Sequence, residues 1–178
     1  MIFSRHIILA FAFLVGGFSL AHAHGPTPQK VEEKITINAP PADVWKIVKD
    51  FGAIGTWHPG LANVKAEGGS EPGATRVITL KSGGDLEESL DDIDDKGMSF
   101  GWRLQTENVD AFPVSFYSAV ITVTPADGGS NVEWVSRLYR ADTTNEPPEN
   151  KNDEAAVKAT TDFIKAGLEG LKAKAEGK

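Results

Sequence analysis

The chain has no cysteine. That excludes disulfides, thiolate metal sites and cysteine nucleophiles, and leaves packing as the source of stability. Histidine is nearly as scarce: four in all, at positions 6, 22, 24 and 58. A zinc or iron site usually draws on two or three imidazoles, and no such spacing is present, so neither metal nor cofactor is expected. Basic residues are outnumbered, 18 against 25 acidic, for a net charge of −7. That balance argues against nucleic acid and against an anionic membrane surface as partner. There is also no Gly-x-Ser-x-Gly elbow to present a nucleophilic serine. The acidic run from Asp85 to Asp95 lacks the Asp-x-Asp-x-Asp-Gly spacing of a calcium loop and reads as a solvated strand face.

One apolar stretch stands out, Ile7 to Leu20, preceded by Arg5 and followed by Ala21-His22-Ala23. It is too short and too broken by glycine to span a bilayer, and the small-x-small pattern reads as a cleavage site. Residues 1–23 are therefore expected to be a secretory signal peptide, and the mature protein to be exported, with no membrane attachment after cleavage. Arg5 leaves with the signal, which takes the charge from −7 to −8. Residues 24–29 (HGPTPQ) read as a flexible leader. His24 at a processed terminus would put an amine beside an imidazole, a copper chelate only if His58 came to meet it.

The remainder, 30–175, reads as one domain. Lys30 to Ile37 alternates as a strand, and Asn38-Ala39-Pro40-Pro41 stops it and opens a helix. Val44, Ile47, Val48 and Phe51 form that helix's buried stripe, with Trp45 on its edge. Gly52 and Gly55 interrupt, so Thr56-Trp57-His58-Pro59-Gly60-Leu61 belongs to a second short helix or the loop leaving it. Six strands follow, separated by glycine-rich turns: 62–67, 75–81, 85–94, 98–105, 114–124 and 131–140. A polar break precedes a long helix, 153–175, whose stripe of Val157, Ile164, Leu168 and Leu171 needs the concave face of an antiparallel sheet.

Alternation also assigns faces. Met98, Phe100, Trp102 and Leu104 share one side of their strand, and Val132, Trp134 and Leu138 share one side of theirs. Two charged residues fall on inward positions: Arg76 has the parity of Ile78 and Leu80, and Glu88 lies between Leu86 and Leu90. A three-residue loop at Ser82-Gly83-Gly84 would set Ile78 opposite Glu88 and Arg76 opposite Leu90, with the two charges on a diagonal. A buried arginine and glutamate are expected to pair. They would be either a self-contained salt bridge or a polar handle for a ligand.

The order of elements and several local motifs resemble one superfamily. The residues are Ile37-Asn38-Ala39-Pro40 with Val44-Trp45, then Trp57-His58-Pro59 and Gly73-Ala74-Thr75-Arg76. Glu88 and Leu90, Val123-Thr124-Pro125 and Val132-Glu133-Trp134 continue the match. The chain is similar to the SRPBCC (START and Bet v1-like, polyketide cyclase-like) proteins. Its exported character makes it most like the MxaD-type periplasmic accessory proteins of methanol oxidation. The resemblance implies an α+β helix-grip fold: a curved antiparallel sheet of about seven strands wrapped around a long C-terminal helix, with two short helices after strand one. It further implies a non-enzymatic role in the periplasm beside methanol dehydrogenase and its cytochrome c partner.

Two other readings remain. One is a carrier or sensor of a small hydrophobic ligand, lined by Trp57, Arg76, Glu88, Phe100, Trp102 and Trp134. The other is a cyclase- or dehydratase-like enzyme in which His58, with Glu88 or Tyr139, acts as base. Pro59 holds His58 extended and Trp57 suits a core-covering position, so the hexapeptide reads as a lid with His58 partly exposed. Gly167 and Gly170 in the last helix fit either close packing or a cavity kept open.

Overall fold

Seven strands and two α-helices account for most of residues 26–178, which the structure, a computed structural model, describes. The expected signal peptide and His24 lie outside those residues. Strand β1 (Gln29–Ile37) begins one residue into the expected leader and pairs with the last strand. Helix α1 (Pro41–Val48) has Pro40 at its N-cap and Pro41 in its first turn, where a missing N–H costs nothing. It buries Val44, Trp45 and Val48, and a 3-10 turn, Phe51–Thr56, buries Phe51 and Ile54. Trp45 is thus in the core itself, its Nε1–H donating to Asp95.

The other strands are β2 (Leu61–Glu67), β3 (Thr75–Leu80), β4 (Asp85–Asp94), β5 (Ser99–Thr106), β6 (Val114–Ala126) and β7 (Gly129–Arg140). They form one antiparallel sheet in the order β1-β7-β6-β5-β4-β3-β2. Strands β2 to β7 form a meander of hairpins, and the one long connection, β1 to β2 through α1 and the 3-10 turn, crosses from one edge of the sheet to the other. Helix α2 (Asp153–Ala175) is capped by the Asn152 side chain, which accepts from Ala155 N–H at 2.9 Å. It lies over β1 and β7 and closes the sheet's concave face. This is the helix-grip architecture the sequence led us to expect. No helix among the described residues is long and apolar enough to cross a membrane.

Four local expectations are corrected. The β3–β4 register differs by two residues, so Arg76 stands directly opposite Glu88 and Ile78 opposite Leu86. The hairpin loop starts one residue early: Leu80 N–H bonds to the Gly84 carbonyl, and Gly83 and Gly84 take the positive φ values of 101° and 87°. Lys81 is thereby moved from strand to loop. Met98 does not begin β5; it occupies the preceding turn with φ 48°. The buried stripe of α2 is rotated toward Ala156, Thr160, Ile164, Gly167, Leu168 and Leu171, and Val157 is only half-buried.

Candidate functional site

Four adjacent strands each send one polar or aromatic side chain to the same buried point. Glu88 on β4 is its centre, 2% exposed. Its Oε2 accepts from Arg76 Nε–H on β3 at 2.5 Å. Its Oε1 accepts from Trp102 Nε1–H on β5 at 2.9 Å and from the Tyr117 hydroxyl on β6 at 2.6 Å. Arg76 in turn donates from Nη1 to the Phe51 carbonyl at 2.7 Å, and its guanidinium lies 4.0 Å from the Phe51 ring centroid. Direct opposition across β3 and β4 makes this possible, because opposed side chains are the nearest pair on a sheet face. An ionised carboxylate only accepts, and here three donors converge on it. Burial first, then the Glu88 charge and its hydrogen bond, push the Tyr117 hydroxyl well above the usual phenol range, so it stays a neutral donor.

This cluster forms one wall of an internal cavity. The remaining lining includes Leu86, Phe112, Trp134, Ser136, Thr160, Phe163 and Ile164. The cavity has a volume of about 20 Å3, roughly enough for one buried water. Aromatic side chains take up the rest: Trp102 and Trp134 stand 5.3 Å apart, and Phe163 contacts Trp134 and Phe112 edge-on at 6.0 and 5.8 Å. Two polar atoms of this region have no partner among the described residues, Arg76 Nη2 and Thr160 Oγ1.

Of the six expected ligand contacts, Glu88, Trp102 and Trp134 line the cavity. Arg76 sits behind Glu88. Phe100 belongs to an aromatic cluster with Trp102, Phe51 and Trp45. Trp57 covers Trp134 at 6.3 Å. Tyr117 was missed because a bulge between Val114 and Phe116 changes the parity of β6. Counted forward from Val114, Tyr117 points outward; counted back from Ile121 and Ala119, it points in. Thr160 lies on the helical face of Ile164 and Leu171 but is polar, and Phe163 lies off the Val157, Ile164, Leu168 and Leu171 stripe, so apolar periodicity marks neither.

The lid differs from its expected state. His58 is not partly exposed but 2% exposed. Gly60 N–H donates to Nδ1 at 3.0 Å, which leaves the ring proton on Nε2, and Nε2–H donates to the Phe163 carbonyl at 3.0 Å. Burial lowers its pKa to about 4 against the pull of the Phe163 carbonyl, and the ring is neutral at pH 7. Neither nitrogen is free to take a substrate proton in this arrangement. Tyr139, the other suggested partner, is on the sheet's outer face opposite Phe116. The two glycines of α2 pack closely, but against the lid as well as the sheet. A Cβ on Gly170 would lie 1.9 Å from the Trp57 carbonyl oxygen. One on Gly167 would lie 2.7 Å from the His58 ring and 3.0 Å from Trp134. Among the described residues there is no group of three or more potential metal ligands.

Residues 28–176 match the family described as polyketide cyclase / dehydrase and lipid transport. No match was found among the curated proteins. Solved structures share the fold. The protein XoxI from Bacillus cereus is 20% identical with a TM-score of 0.68, covering 82% of this chain and 94% of its own. A Thermobifida fusca protein is 27% identical with a TM-score of 0.63, covering 82% and 91%. Ara h 8.0201 is 15% identical with a TM-score of 0.65, covering 85% and 100%. The chain that builds this closed, Glu88-centred grip belongs to the polyketide cyclase / dehydrase and lipid transport family of the SRPBCC superfamily.

Proposed function

We propose that this is an exported, non-enzymatic accessory protein of methanol oxidation, acting in the periplasm through contact with methanol dehydrogenase or its cytochrome c partner. One structural observation carries the non-enzymatic part: the interior is filled by the protein's own aromatic side chains, down to about 20 Å3. With both His58 nitrogens bonded to backbone, the surface becomes the natural place of action. The methanol-oxidation assignment rests on the MxaD-like motifs, and export on the apolar N-terminal run. The test adds purified mature protein to methanol dehydrogenase and cytochrome c and follows cytochrome reduction. A faster rate is expected; an unchanged rate at stoichiometric excess sinks the reading.

A second reading is favoured by Thr160 Oγ1, buried in the cavity wall without a partner. A small ligand with one hydrogen-bonding group beside an apolar body would satisfy it, once the aromatic walls moved apart. Native mass spectrometry of protein from its own periplasm would show the added mass.

A further inference from the structure

The sheet's outer face holds the two large hydrophobic residues that are exposed among the described residues, Phe116 at 39% and Val120 at 46%, both on β6. They are two and two residues from Ser118, so all three point outward from one strand. Each has an apolar neighbour on β7: Phe116 faces Tyr139, and Val120 faces Val135. Between these two apolar rows runs a third. Arg103 on β5 pairs with Ser118, Ser118 with Arg137 on β7, and Arg137 with Lys30 on β1. Three cations therefore cross one face of an otherwise acidic chain. Two are engaged locally, Arg103 with Asp91 and Lys30 with Glu32. The nearby Glu133 is held by Lys34 at 2.8 Å. Arg137 is exposed and makes no ion pair among the described residues.

We propose that this face of β5, β6 and β7 is a docking surface for a protein partner that presents a carboxylate set among apolar side chains. The proposal rests on the accessory-protein reading above and names the surface through which it acts. An arginine flanked by aromatic and aliphatic residues is the composition that interface centres favour, and the unpaired Arg137 guanidinium complements a carboxylate on the partner. A second copy of this chain is a poorer occupant. A two-fold contact would set this patch against itself and bring Arg137 toward a like charge.

The experiment immobilises purified methanol dehydrogenase and, separately, its cytochrome c, and measures retention of wild type, Val120→Asp, Arg137→Glu and a distant control, Lys81→Glu. The altered side chains are all exposed, and circular dichroism with a melt confirms that each variant folds. Wild type and Lys81→Glu should bind one of the two proteins, more weakly as salt rises. Val120→Asp and Arg137→Glu should each lose at least about tenfold in affinity. Equal binding by all four overturns this surface and leaves the functional reading standing. Binding of wild type to neither protein overturns both. Self-association of wild type that Val120→Asp abolishes, with no binding to either protein, assigns the face to a second copy and overturns the acidic partner.

Discussion

His58 and Glu88 are equally buried, yet the chain handles them in opposite ways. His58 is held as a neutral ring by two backbone groups, the Gly60 amide and the Phe163 carbonyl. Glu88 is held by three side chains drawn from three other strands. Backbone partners come with the fold and ask little of the sequence, whereas side-chain partners must each be placed by register. The histidine therefore marks a seam between lid and helix, and the glutamate marks the point on which four strands agree. A motif conspicuous in the sequence proved to be mechanical, and an inconspicuous strand residue proved to be the polar centre.

Breaking the centre should have the largest effect. Arg76→Ala leaves Glu88 buried without its counter-charge and is expected to cost about 3–5 kcal/mol in chemical denaturation. A loss below about 1 kcal/mol would show the pair to be no more important than a surface bridge. The seam should respond to acid instead. His58 titrates near 4 in the folded protein, against 6.5 when unfolded. Its contribution is complete above pH 6.5. As pH falls toward 4 the unfolded chain takes up a proton that the folded one refuses, and up to about 3 kcal/mol is lost. Comparing stability at pH 7 and pH 4.5 in wild type and His58→Gln isolates this component, because the other acid-sensitive groups are common to both; parallel profiles would refute it.

Gly170→Ala drives a methyl into the Trp57 carbonyl, so the lid must shift. About 1–3 kcal/mol is expected, with faster hydrogen exchange at the Gly60 amide. Smallest of all should be Thr160→Val, which removes an unpartnered hydroxyl from the cavity wall and should change stability by less than about 0.5 kcal/mol. A loss above about 1 kcal/mol would mean that the hydroxyl holds something in solution, and would favour the ligand reading.

The fold was legible because its strands alternate cleanly and its turns are marked by glycine. Strand parity alone brought Arg76 and Glu88 inward. Their register was not legible, since moving the loop from 82–84 to 81–83 changes no face but shifts every partner by two. Tyr117 was hidden by a bulge, which alternation cannot show from one end. The burial of His58 was hidden for a different reason. It depends on Gly167 and Gly170 giving α2 a smooth side, and two glycines in a helix fit an open cavity as well as a close contact.

That smooth side also ties two distant parts of the chain together. Trp57 and Gly170 are separated by most of the described chain, with the whole β2–β7 meander between them. Until α2 docks, the lid has nothing to close against, and Trp102 and Trp134 line an open trough. Closing the lid on α2 therefore carries the entropy of a long loop, as the pairing of β1 with β7 also does. The finished cavity has room for about one water, so a larger guest would have to part its aromatic walls.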